Sequence, residues 1–153
     1  MERTMATMIA LWNPDEWPDG VAEHHFGLLA ERGFGLSIVG PWSTGSRKYD
    51  IGYGDTVYML MVGDRGRGVI RSGIALEGIS QDGDWRGGDR EANYIKRVEW
   101  RHFVPVEDAL PTETLKDQIP EVNWDRMQAS GVVIDEPAAQ TLDDLWLAHI
   151  GQA

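Results

Sequence analysis

The chain has 153 residues, 42% of them hydrophobic, and no cysteine, which leaves one ordinary core and excludes disulfides, thiolate metal sites and thiol nucleophiles. A formal net charge of −11 argues against a generic nucleic-acid binder, because neutralising phosphate needs clustered Lys and Arg. No apolar run approaches the roughly 20 residues of a membrane span, and "MERTMATMIALWNP" is too weak for a signal peptide. A single domain over residues 1–153, cytoplasmic and without membrane contact, is expected.

"TMATMIALW" (Thr4–Trp12), closed by Asn13-Pro14, predicts a buried first strand. "PDEWPDG" is a turn-rich connector carrying Trp17. "VAEHHFGLLAER" (Val21–Arg32) predicts an amphipathic helix with apolar Val21, Ala22, Phe26, Leu28, Leu29 and Ala30, capped by Gly33. "GPWSTGSRKYDIGYGD" then reads as a polar, glycine-bracketed loop, and "TVYMLMVG" (Thr56–Gly63) as a short apolar strand. "GVIRSGIALEGIS" (Gly68–Ser80) reads as one strand in which Gly73 and Gly78 mark a bulge or a barrel corner.

"QDGDWRGGDREAN" is a glycine-rich loop with Trp85 near its centre, and "YIKRVEWRHFVPV" (Tyr94–Val106) alternates like another long strand. "PTETLKDQIP" predicts a short helix with Thr112 as N-cap, "VNWDRMQASGVVI" is ambiguous, and "EPAAQTLDDLWLAHIG" (Glu136–Gly151) predicts a closing helix. A strand-rich middle with peripheral helices implies a small, strongly bent sheet or barrel of α+β class.

Charge is unevenly spread. Residues 1–39 carry two basic and six acidic side chains, a balance of −4, and residues 103–153 carry two and ten, a balance of −8. Residues 40–102 hold ten basic against nine acidic, a balance of +1. The middle therefore offers either a small face for an anionic ligand or ordinary solvated loops.

Catalytic patterns are absent from the sequence. The adjacent His24 and His25 point about 100° apart on a helix and cannot form a metal-binding i, i+4 pair. Ser43, Ser46, Ser72, Ser80 and Ser130 lack a nucleophile elbow, and "GDRGRG" lacks the Lys-Ser/Thr ending of a phosphate loop. A binding domain is expected, with no catalytic residue, metal or cofactor.

Tryptophan is the unusual feature, with seven in the chain. Trp100 and Trp146 sit in clean strand and helix patterns and read as core, as does Trp124. Trp12, Trp17, Trp42 and Trp85 instead occupy strand ends and polar loops. Indoles there either wall a pocket for a planar ligand or plug the ends of the barrel. Asn13 and Ser43 are neighbours that could hydrogen-bond a base edge.

"LWNPDEW", "PWSTGSRKYDIGYGDTVYML", "GRGVIRSGIA", "GDWRGGD" and "NYIKRVEW", followed by "LPTETLKDQIPEVNWDRMQASGVVI" and "LDDLW", occur in an order that resembles the EVE-like domains of the PUA superfamily. The likeness spans roughly residues 8–147. It is strongest to the version found beside HNH nuclease domains in modification-dependent restriction enzymes, and "WST" is similar to the YTH relatives.

The resemblance implies a PUA-like, strongly bent mixed β-barrel with flanking helices that reads a modified base. In DNA that base would be 5-methylcytosine or 5-hydroxymethylcytosine, flipped into an aromatic cage; in a YTH-type reader it would be presented by RNA. Carried over by motif, Trp42 becomes a cage wall with Ser43 and Thr44 beside the base. Trp12, Asn13 and Trp17 fall near the same pocket, and Trp85 would help to close it. Arg47, Lys48, Arg65 and Arg67 would meet phosphates.

The sequence carries no His-Asn-His metal motif. Any cleavage in restriction-modification is therefore expected of a nuclease partner or a fused effector domain. The acidity also leaves room for a barrel that binds a small molecule or a protein and no nucleic acid, or for an enzyme assembled from distant residues.

Overall fold

The computed structural model describes residues 5–64, 66–83 and 91–151. Strand β1 (Thr7–Trp12) runs parallel to β3 (Thr56–Met61), with Thr7 opposite Thr56 and Trp12 opposite Met61. Both are covered on both faces, which is why their sequences read as unbroken apolar runs. Met8, Ala10 and Trp12 enter one core cluster with Val57, Met59 and Met61. Ile9 and Leu11 turn to the other, with Tyr58 and Leu60.

β2 (Ile38–Gly45), β4 (Gly68–Ala75), β5 (Ile79–Gly83) and the 13-residue β6 (Glu91–Phe103) extend the sheet, and the two-residue β7 (Leu110–Pro111) and β8 (Val132–Val133) close its margins. The order β2-β6-β4-β3-β1-β8, with β5 on β6 and β7 on β4, is a mixed sheet. β6 pairs with β5 through Glu91–Ile95 and with β4 through Val98–Phe103, so the sheet curls around it into a half-barrel.

Helix α1 (Asp19–Phe34) covers the first cluster through Leu28. Helices α2 (Thr112–Gln118) and α3 (Ala138–His149) cover the second through Leu115, Leu142 and Trp146. Two hydrogen bonds pin α3: Tyr58 Oη to Asp143 Oδ1 at 2.7 Å and Trp146 Nε1 to Ser72 Oγ at 2.8 Å. The α+β class and the bent sheet agree with the sequence, as does burial of Trp100, Trp124 and Trp146.

Several expectations require correction. The segment read as a polar loop holds most of β2, because Ile38-Val39 just before it and Trp42 within it find a partner in β6, which lies far away in sequence. Gly68–Ser80 is two strands: Gly73 does sit at a register shift against β6, and the chain turns before Ile79 at Gly78.

α1 runs past Gly33 to Phe34, and the left-handed cap is Gly35, at φ 63°. The helix docks through His24, Gly27 and Leu28, while Val21, Phe26 and Leu29 of the expected apolar set are exposed. Thr112 is the first residue of α2 and not its cap, which is Pro111.

Candidate functional site

Five of the residues singled out in the sequence, Trp12, Asn13, Trp17, Trp42 and Ser43, line one cavity of about 310 Å³. Its first wall is built where β1 ends. The backbone carbonyl of Asn13 accepts from the amides of Glu16 and Trp17, both at 3.0 Å, and its Oδ1 accepts from the Asp15 amide at 2.9 Å. This Asx turn reverses the chain directly behind Trp12. Trp12 Nε1 then donates to the Trp17 carbonyl at 3.0 Å, tying the Trp12 indole to the backbone of the turn that carries Trp17.

Gly20 makes this closeness possible. A Cβ there would lie 2.6 Å from Trp12 Nε1 and 2.9 Å from Trp17 Cδ1. Trp12 is thus a core residue and a pocket wall at once, 2% exposed, where the sequence offered pocket wall and barrel plug as alternatives.

The opposite wall comes from β2. Pro41 has no N–H to give the ladder, and the register with β6 shifts between Gly40 and Trp42. Such a bulge re-aims the following side chain. The half-buried Trp42 indole donates to Ser130 Oγ at 3.2 Å, and that hydroxyl also accepts from the Leu11 amide at 2.8 Å. Ser43 stands opposite Tyr94 in the ladder, which brings Tyr94 into the lining. Glu16, Glu23 and Pro41 complete the cavity.

The other expected residues lie elsewhere. Thr44 is fully buried at a second register shift, and its hydroxyl donates to the Arg47 carbonyl at 2.8 Å, so it braces the loop and does not line the cavity. Arg47 donates through Nε to the Gly131 carbonyl at 2.5 Å and approaches Asp50 at 3.5 Å. Arg47 and Lys48 border a separate open cleft of about 1040 Å³, whose charge is mixed because Arg126, Glu121 and Glu136 share it. Arg67 is exposed and pairs at 3.5 Å with Asp125, which also holds Lys116 at 2.8 Å. Trp85 and Arg65 fall outside the described residues.

Four residues of the site carried no role in the sequence reading. Glu16 sits inside "PDEWPDG" and Glu23 beside the histidine pair, where they look like surface acids. Tyr94 opens an alternating strand, and Ser130 was one serine among many. Only the β2–β6 register and the β1–β8 pairing identify the last two.

Behind Trp12 lies a buried polar pair. His24 is 6.3 Å from the Trp12 ring and 5.4 Å from Phe103, and its Nε2 donates to the Val104 carbonyl at 2.7 Å. Burial, followed by the charge of Arg71, lowers its pKa to about 4, so the ring is neutral at pH 7. Arg71 is also buried, 5.1 Å from the centre of the Trp100 ring and 5.3 Å from that of Phe103. Burial lowers its pKa to about 10, opposed by the Glu23 carboxylate, and it remains a cation.

Asp55, fully buried, accepts from the Ala6 amide at 2.9 Å and the Gly52 amide at 2.8 Å, a structural tie across the strand entry. Among the described residues no three His, Asp or Glu side chains gather to hold a metal ion. What the cavity offers chemically is stacking surface, hydrogen-bonding side chains at its edge and two carboxylates.

No family model matches the sequence. No curated protein matches it either. Among solved structures, a hypothetical protein from Leishmania major is similar, with a TM-score of 0.50 and 12% identity over 95% of this chain and 97% of that one. At that identity the likeness speaks to fold alone. No helix among the described residues is long and apolar enough to cross a membrane.

Proposed function

We propose that this chain is a modified-nucleobase reader with a PUA-like, EVE-type barrel. It captures a base, 5-methylcytosine or 5-hydroxymethylcytosine in DNA, between aromatic walls and performs no chemistry on it. One observation carries the reading: Trp12 and Trp17, from the end of β1 and the turn after it, and Trp42, from β2, converge on a single cavity with Asn13 and Ser43 at its edge. A volume of about 310 Å³ suits one planar ring system and little more.

The energetics are consistent with base capture. Unstacking a base costs a few kcal/mol, and stacking on an aromatic side chain returns about 1–3 kcal/mol. One methyl group adds only about 0.8 kcal/mol on burial, so discriminating a methylated base requires a fitted wall. Trp42 is held in that way by Ser130. For a hydroxymethyl group, Ser43 or Asn13 supplies the hydrogen-bonding partner.

The test is binding to matched oligonucleotides bearing cytosine, 5-methylcytosine, 5-hydroxymethylcytosine or N6-methyladenine, with Trp42→Ala alongside. Preference for one modified base, lost in the variant, supports the reading. Equal affinity for all four, unchanged by the substitution, overturns it.

A second reading has a specific observation in its favour. The cavity edge holds Glu16 and Glu23, whereas Arg47 and Lys48 face another cleft. A free nucleoside or another small planar molecule needs no phosphate contacts, and its binding would show no salt slope of the kind phosphate release produces.

A further inference from the structure

The cavity combines three indoles and a phenol with two carboxylates and no described basic side chain. Neither Glu16 nor Glu23 forms an ion pair within 4 Å of a described residue, and Glu23 acts on the buried Arg71 only at longer range. Both are exposed acceptors, one in the turn after Trp12 and one on α1. An ionised carboxylate has acceptor sites only. A ring bound between these walls therefore meets acceptors at Glu16, in the turn after Trp12, and at Glu23, on α1.

We infer that Glu16 and Glu23 select which kind of base enters: one that presents an exocyclic amino donor to these carboxylates, as cytosine does at N4, and not one that presents a carbonyl at that position. The inference rests on the base-capture reading and specifies its substrate class. 5-Methylcytosine and thymine make the comparison clean. They share the ring size and the 5-methyl group, and differ at two adjacent edge positions: cytosine carries an N4 amino donor beside the N3 acceptor, thymine the O4 acceptor beside the N3–H donor. Stacking and methyl burial are nearly equal for the two. The carboxylates separate them at position 4, accepting from the amino group of one and opposing the O4 lone pairs of the other, a repulsive element of the kind that specificity requires. Positive charge on the ring strengthens binding in the same sense, because indole faces attract cations.

Three single-stranded oligonucleotides, identical except for 5-methylcytosine, thymine or an abasic site at one central position, provide the test. Binding is read by fluorescence anisotropy of a labelled strand, for the wild-type chain and for the Glu16→Gln/Glu23→Gln double variant. Gln keeps the shape and adds a donor, and both positions are exposed.

The expected result is roughly tenfold tighter binding of 5-methylcytosine than of thymine in the wild type. In the double variant the preference should fall to about twofold or less, since an amide can serve either base. Equal binding of both bases, each tighter than the abasic strand, overturns this inference and leaves base capture standing. A tenfold preference that survives in the double variant also overturns it. Binding of both no better than the abasic strand removes the base-capture reading itself, and this inference with it.

Discussion

The indole Nε1 of Trp42 and the hydroxyl of Ser130, 88 residues apart in sequence, meet at 3.2 Å, and the same hydroxyl accepts from the Leu11 amide at 2.8 Å. One small side chain thus joins the pocket wall on β2 to the backbone of β1. Ser130→Ala leaves both donors without this acceptor. An unsatisfied, partly buried amide costs about 1–3 kcal/mol, and loss of stability in that range is expected by urea denaturation. The freed indole also loses its fixed orientation. Ligand affinity should therefore fall several-fold, while Ser130→Thr, which keeps the oxygen, should retain most of it. Wild-type affinity in Ser130→Ala would show that Trp42 needs no such brace.

Gly20 gives a sharper steric test. In an exposed helix Gly→Ala gains about 1 kcal/mol. Here the added carbon meets the Trp12 and Trp17 rings at 2.6 and 2.9 Å, and the Trp12 ring cannot yield without straining its Nε1 bond to the Trp17 carbonyl. Overpacking of this kind costs typically 1–3 kcal/mol. Gly20→Ala should lower the thermal midpoint and weaken ligand binding together. Gly33→Ala on the same helix, where a Cβ meets nothing within 4 Å, should do neither.

The basic residues separate by geometry. Lys48 is exposed and free to meet a phosphate, whereas the Arg67 guanidinium is paired with Asp125 at 3.5 Å. If a nucleic-acid strand runs from the aromatic cavity across the neighbouring cleft, Lys48→Ala should reduce the slope of log affinity against log salt by about 0.7 for a single strand. Arg67→Ala should leave that slope unchanged. The reverse order would put the strand at Arg67 and Asp125, near α2.

The strands were legible where burial is two-sided, because Met8–Leu11 and Val57–Met61 are apolar without interruption. The aromatic wall was legible for a related reason: an indole in a polar segment has no local explanation, so Trp12, Trp17 and Trp42 stood out. What stayed hidden is long-range. β2 looked like a loop because its partner lies about 50 residues onward, and a bulged edge strand with Pro41 and two glycines has little strand signature of its own. The face of α1 was misread because the helix packs through His24 and Gly27, residues that hydropathy ignores, and leaves Phe26 66% exposed. Ser130, Tyr94, Glu16 and Glu23 acquire meaning only from what the fold sets opposite them.

His24 gives a prediction in pH. Its folded pKa is about 4, below the ordinary value of 6.5, because burial beside Trp12 and Phe103 and the charge of Arg71 disfavour the imidazolium. The unfolded chain therefore binds more protons than the folded one between these values. The stability contributed by the neutral ring is complete above pH 6.5 and is lost as pH falls towards 4. Linkage with these two values gives a loss of about 2 kcal/mol by pH 5 and about 3 kcal/mol by pH 4. An ordinary carboxylate titrates at about pH 4, so the interval from pH 6.5 to 5 belongs largely to histidine. His24→Gln keeps a donor for the Val104 carbonyl and has no proton to gain. Its urea-unfolding free energy should be flatter than that of the wild type across this interval, with the two curves converging towards low pH. Because His24 backs the Trp12 ring, ligand binding by the wild type should weaken over the same range while the variant holds steady. Parallel stability curves for the two proteins would mean that His24 is not the group that senses acid.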